Sequence, residues 1–288
     1  MENYVIFTDS GCDIHPQMLK EWGVPSCCLT FRFHGDEREY TNDEMSVSEF
    51  YQRMRQGGVA KTSAVATGVF AERFEEILKE GSDILYIGFS TGLSTTFNSA
   101  RLAAEQLKEK YPDRKILCVD SLAASAGQGL LVYLTLQKKK EGATLEEAAA
   151  FAEEMKWRLC IWFTVDDLVY LKRGGRISPT AAFVGNMLGI KPVLYMDNEG
   201  HLINVSKVRG RKTSIAALAN QYGARAVDLE GGTIFISHAD CKAEADLLAQ
   251  MLKSNYGASV DVITDVGTVI GAHSGPGTIA LFFVGKER

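Results

Sequence analysis

Proline is scarce in this chain, with 6 in 288 residues against a usual ~5%, while glycine reaches 27. Tight turns are therefore expected from permissive backbone rather than from rigid rings. The six cysteines, Cys12, Cys27, Cys28, Cys118, Cys160 and Cys241, make no C-x-x-C pair and no Cys/His cluster with zinc spacing. They read as small buried hydrophobes in a reducing compartment. Neither charge sign dominates: 31 Lys and Arg face 36 Asp and Glu, a net charge of −5. A partner bound through its phosphate backbone would call for a basic excess, so nucleic acid is not expected. No apolar run approaches the ~18 residues that span a bilayer, residues 279–285 (IALFFVG) being among the longest, so stable membrane insertion is not expected. The opening MENYVIFTDSGCD lacks the basic and long apolar segments of a signal peptide, and the expected location is the cytoplasm.

What remains is ordinary for a globular protein: 46% hydrophobic and 23% charged residues, with a mean hydropathy of −0.05. The length exceeds the usual single core and favours two lobes around a cleft. Short apolar runs at residues 4–7, 83–88 and 115–119 read as strands, alternating with helical stretches such as 98–110, 123–140 and 145–159. That alternation predicts βαβ crossovers and a parallel sheet. Beyond residue 160 the pattern changes. Residues 192–196 and 202–208 flank Asp197-Asn198-Glu199-Gly200, a hairpin with turn chemistry, and strands are expected at 233–237, 260–264 and 278–284. The expected architecture is α/β and two-lobed: an N-terminal parallel-sheet lobe over residues 1–159, a C-terminal lobe with a mixed sheet over 160–288, and a ligand cleft between them.

Common enzyme signatures are missing, including the P-loop, a complete dinucleotide fingerprint, H-E-x-x-H and the G-x-S-x-G elbow. No cofactor or metal is implied. The pairs Asp9/Asp13 and Asp166/Asp167 are read as capping or loop-bonding groups ahead of metal or acid–base roles.

The positive signal lies in hydroxyl-rich segments. Six of the twelve residues from Gly88 to Ser99 are Ser or Thr, and Ser94 and Thr95 stand where a helix begins. Helix N–H groups and hydroxyls converging there suit an anion, although N-capping alone also favours Ser and Thr. Thr62 and Ser63, in Lys61-Thr62-Ser63, make a second hydroxyl pair and are expected on a neighbouring loop. His273 sits among glycines in Gly271-Ala272-His273-Ser274-Gly275-Pro276-Gly277, a loop-like stretch that suits a ligand contact. The other histidines read as structural. Residues 171–178 (LKRGGRIS) place three cations around a Gly-Gly turn, and Arg209, Arg211 and Lys212 form a second basic cluster. Each fits either a solvated turn or a site for phosphate or an acidic partner.

In order along the chain, TDSGCD (8–13), KTS (61–63), STGLSTTFNSA (90–100), DSLAASAGQG (120–129), VDDLVYLKRGGRIS (165–178), GIKPVL (189–194), KVRGRK (207–212) and GAHSGPGT (271–278) resemble the DegV family. The resemblance covers about residues 4–284. It implies a two-lobed protein that binds a long-chain fatty acid, with the tail in an apolar tunnel and the carboxylate on Thr62 and Ser94. Ser63, Thr95 and His273 would support that head group. It further implies likeness to the binding subunit of a bacterial fatty acid kinase, whose separate ATP-dependent subunit phosphorylates the carboxylate. Arg173, Arg176 and Arg209 then become candidates for contact with the acyl-phosphate or the partner. The family usually has Gly where Thr95 stands. The alternative is a hydrolase of an acyl ester or acyl-phosphate, with Ser94 or Thr62 as nucleophile and His273 as base. The absent elbow and the lack of an evident acidic partner for His273 favour the carrier.

Overall fold

The computed structural model describes residues 3–177 and 189–288; Ser178, the last residue of the basic stretch, lies outside them. The first half runs β1 (Tyr4–Asp9), α1 (Pro16–Trp22), β2 (Ser26–Cys27), β3 (Thr30–Phe33), α2 (Val47–Arg55), β4 (Ala60–Ser63), α3 (Thr67–Lys79), β5 (Asp83–Gly88), α4 (Thr96–Lys110), β6 (Ile116–Asp120), α5 (Ala126–Lys140) and α6 (Leu145–Met155). The second runs β7 (Leu159–Thr164), α7 (Val169–Arg173), β8 (Ile190–Met196), β9 (Leu202–Arg209), α8 (Arg211–Arg225), β10 (Ile234–His238), α9 (Lys242–Tyr256), β11 (Val262–Asp265), α10 (Thr268–Ser274) and β12 (Ile279–Val284).

The molecule is a two-lobed α/β protein. One lobe carries a four-stranded sheet, β2-β1-β5-β6, in which every pair is parallel. β5 (DILYIG) is buried along nearly its whole length, as a strand covered on both faces should be. The other lobe carries a six-stranded mixed sheet, β11-β10-β12-β7-β8-β9, with only β10 and β11 parallel. Both agree with the expected architecture.

Local chemistry explains the element ends. His15 caps α1 through Nδ1 and Pro16 occupies its first turn. A reciprocal capping box of Thr144 and Glu147 starts α6. Thr67 is the first residue of α3, and Ala66 precedes it without a side-chain cap.

Two expected loops are regular structure. Residues 61–63 lie in β4, which pairs antiparallel with β3 in a separate two-stranded sheet. The β-branched Thr62 fits that pleat, opposite Phe31. They therefore do not share the carboxyl edge of the parallel sheet with residues 88–99. His273, expected in a loop, belongs to the last turn of α10, and the glycines after it end the helix.

The largest apolar core draws on both sheets, with Phe7 and Leu85 from one and Ile161 and Phe282 from the other. Within it Phe7, Phe70, Phe74 and Tyr86 pack edge-on or tilted at centroid distances of 5.2–6.5 Å. Burial of each such ring stabilises by roughly 1.5–3 kcal/mol, so this nest fixes β1 against β5 and α3. α5 packs against strands of both sheets and joins the lobes.

Candidate ligand-binding site

A cavity of about 500 Å³ lies between the lobes, within the usual size for a small-molecule pocket. Its wall is largely apolar, with Leu29 and Phe89 from one lobe and Ile161, Phe163 and Phe282 from the other. Thr62, Ser63, Ser94, Thr95, Arg176 and His273 all line it.

A chain of contacts gathers the polar members. Thr62 Oγ1 stands 2.8 Å from His273 Nε2. The other ring nitrogen of His273 abuts the Cα of Gly174, where no Cβ fits, and has no hydrogen-bond partner among the described residues. Arg176 donates to the Gly174 carbonyl and, through Nε and an Nη, to the Leu93 carbonyl at 3.1 and 3.0 Å. Leu93 precedes Ser94, whose Oγ accepts from Thr96 N–H at 3.2 Å and lies 2.9 Å from Thr96 Oγ1. Thr62, His273, Arg176 and Ser94 thus reach the cavity wall from four separate segments of the chain.

The Ser94 loop is also held from below. Asp9, at the end of β1, accepts from Tyr86 O–H at 2.6 Å, Phe89 N–H at 3.0 Å and Gly11 N–H at 2.9 Å. From the other lobe the Asp197–Gly200 turn lies over it. Ser90 Oγ donates to the Gly200 carbonyl, and Gly92 leaves room for the Glu199 and Gly200 carbonyls. Asp9 is therefore a loop-bonding group. Asp167 caps the Val169 N–H and Asp166 pairs with Lys191 at 2.7 Å, so these too act within the fold. Asp13 differs: among the described residues its buried carboxyl oxygens have no hydrogen bond of normal geometry, although the Ser125 side chain and the Gly267 N–H stand beside it.

Electrostatics follow from this packing. Burial, reinforced by the positive charge of Arg176, pushes His273 down to about 4, so its ring is neutral at ordinary pH. Arg176 is the one Lys or Arg among the described lining residues. Burial lowers its pKa, but a guanidinium keeps its charge. Burial pushes Asp13 up to about 8.

The remaining expected residues fall at the rim or outside. Ser63 lines the cavity but donates to Glu39 at 2.8 Å. Thr95 is exposed, and Arg173 and Arg209 are exposed and do not line the cavity.

A family model described as an uncharacterised protein of the DegV family matches residues 3–286. The chain belongs to the DegV family. It is 44% identical to a DegV domain-containing protein of Clostridium perfringens, over 100% of this chain and 99% of the relative. A DegV lipid-binding protein from Thermotoga maritima superposes with a TM-score of 0.86 at 31% identity, covering 100% of both chains. A stearic acid-binding protein from Eubacterium ventriosum does so with a TM-score of 0.88 at 27% identity, covering 98% of both.

Within this DegV fold, Thr95 has φ −83° and ψ −1°, an ordinary right-handed conformation that needs no glycine. Residues 120–129 hold something the sequence motif did not disclose. Ser125 has φ 53° and ψ −148°, strained for a residue with a Cβ, and it lines the cavity. Its Oγ lies 3.0 Å from Ser237 Oγ of the other lobe. The Arg176 brace was equally hidden, because a charge beside Gly-Gly reads the same whether it faces solvent or a carbonyl.

Proposed function

We propose that this DegV-family chain binds a long-chain fatty acid, its carboxylate at Thr62 and Ser94 and its tail in the cavity between the lobes. The observation that carries the reading is the contact of Thr62 with a buried, neutral His273 in the wall of a largely apolar cavity. A neutral imidazole carries one N–H. With Nδ1 facing Gly174, placing that hydrogen on Nε2 lets it donate to Thr62 Oγ1, which frees the Thr62 hydroxyl to donate to a carboxylate. Arg176 adds positive charge without occupying the first contact. Each methylene withdrawn from water contributes about 0.8 kcal/mol, which makes the tail the main source of affinity. The fatty-acid descriptions of the similar structures support a fatty acid as the ligand.

The carrier role follows from the same burial: a protein that shields the tail and leaves the carboxyl near a rim can present it to an ATP-dependent kinase subunit. The exposed Arg173 and Arg209 would meet that subunit or the acyl-phosphate. Hydrolysis is less well supported. His273 has the contact a base would need, yet no carboxylate among the described residues meets its Nδ1, and its lowered pKa makes it a weak base. The deciding test is lipid extraction and mass spectrometry of the protein as isolated, followed by titration with stearic acid. A bound acyl chain is expected, and its absence together with no uptake of added acid would end the reading.

A further inference from the structure

The apolar wall of the cavity can be followed rung by rung along the mixed sheet. Thr278, Ala280 and Phe282 line it on and just before β12, and on β7 Phe163 and Ile161 line it opposite Ala280 and Phe282. Thr278 stands beside the end of α10, where its Oγ1 donates to the carbonyls of Ser274 and Gly275, directly after His273. Phe282 lies four residues on, roughly 13 Å further along the extended chain. The next rung, Leu159 with Val284, does not line the cavity. α5 explains why, since it packs on both strands. Ala124 and Ser125, just before α5, line the cavity, whereas Ala126 and Gly127 in its first turn do not. The sheet face is open as far as the Phe282–Ile161 rung and is then roofed by the helix.

One contact fixes how far back that rung stands. At Gly127 an added methyl group would come within 2.8 Å of Phe282 Cδ1 and 2.9 Å of Ile161 Cδ1. Gly127 is not among the glycines of positive φ, so the position needs the missing side chain rather than glycine's freedom of backbone. Phe282 and Ile161 are 1% and 3% exposed, and their protein neighbours leave little slack. Side chains displaced from α5 yield towards open space, and the open space beside these two is the cavity they line.

We propose that Gly127 is a specificity-determining residue that sets how long an acyl tail the cavity admits, acting through Phe282 and Ile161. The inference rests on the fatty-acid reading above and adds a determinant of chain length to it. Without a side chain at position 127, the ring and the isoleucine lie back against α5 and leave room for the last methylenes of the tail. A methyl group there brings both forward and shortens the space, while the part of the cavity beside His273 is untouched.

The test measures affinities of delipidated protein for dodecanoic, tetradecanoic, hexadecanoic, octadecanoic and icosanoic acids by displacement of a fluorescent fatty acid. Affinity is expected to rise about 4-fold per methylene until the tail meets the Phe282–Ile161 rung. In Gly127→Ala the rise should stop roughly two carbons sooner, so that octadecanoic acid loses about 10-fold or more while dodecanoic acid stays within about 2-fold. Phe282→Leu, which shortens the side chain at the rung, should favour icosanoic acid, and combined with Gly127→Ala it should restore octadecanoic acid. Thermal melts establish that each variant folds, and Phe282→Leu tests the rung by itself if Gly127→Ala does not. Equal loss for every acid in Gly127→Ala would make Gly127 a packing residue of the fold alone and refute the proposal. A length profile unmoved by either substitution would show that the tail does not reach this rung, and also refutes it while fatty-acid binding stands. If the parent protein binds none of the acids, the fatty-acid reading itself falls and takes the proposal with it.

Discussion

Arg176 grips the carbonyl of Leu93 with two donors, 83 residues away in sequence, and so holds the residue immediately before Ser94. One side chain thereby fixes the Ser94 loop from the opposite lobe and brings a positive charge to the cavity wall. Arg176→Lys keeps the charge but loses the planar fork. Release of a fluorescent fatty acid, followed by stopped flow, is expected to quicken about 10-fold in this variant, in line with loss of a charge-assisted bond. An unchanged release rate would mean that Ser94 is positioned without Arg176.

Thr62 is the second test of the head group. Thr62→Val preserves shape in β4 while removing the hydroxyl shared with His273. Affinity for stearic acid is expected to fall about 10- to 100-fold, as for a lost hydrogen bond to a charged group. Thr62→Ser should restore most of it. If Val binds as tightly as Thr, the carboxylate is held elsewhere.

Stability should respond to pH from both sides. His273 titrates at about 4 in the fold against 6.5 for an ordinary histidine, because burial and then Arg176 oppose its charge. Between those values the unfolded chain takes up a proton that the fold refuses, so stability falls as pH drops from 6.5 towards 4 and levels off below. The full effect is about 3 kcal/mol. Asp13 works in the opposite sense: burial raises it from 3.8 to about 8, so its stabilisation is complete below 3.8 and is lost as pH climbs through 8. Melting temperature against pH should show a shallower acid limb in His273→Gln and a shallower alkaline limb in Asp13→Asn. Asparagine tolerates the left-handed φ of 50° at position 13. Limbs unchanged by either variant would contradict these assignments.

How far these features were readable in advance depended on whether they are local. Alternating apolar strands and helices exposed the parallel sheet of residues 4–120, and the turn at Asp197–Gly200 exposed the β8–β9 hairpin, because periodicity and turn chemistry are local. The hydroxyls of Thr62 and Ser94 could be singled out by residue type. Their supports could not, since Thr62–His273 and Arg176–Leu93 join residues 211 and 83 apart. Glycines misled at residues 271–277, where the helix carrying His273 continues through Gly271 and ends only near Gly275. Pairing with residues 30–33 turned residues 61–63 from loop to strand, again a contact no local window contains.

The glycine abundance gives the last prediction. Gly174 faces the Nδ1 of His273 so closely that an added methyl group would collide with the ring. Its φ of −73° is allowed for any residue, so Gly174→Ala tests space rather than backbone freedom. The ring is expected to shift, break the 2.8 Å contact with Thr62 and weaken fatty-acid binding about 10-fold or more. Thr95→Gly is the contrasting case: φ there is −83° and the side chain is exposed, so glycine relieves nothing. It should leave affinity within about 2-fold and lower stability by roughly 0.5–1 kcal/mol through added freedom of the unfolded chain. Paired titrations and melts of the two variants settle the matter. Equal binding by Gly174→Ala and the parent would show that His273 does not need its present place.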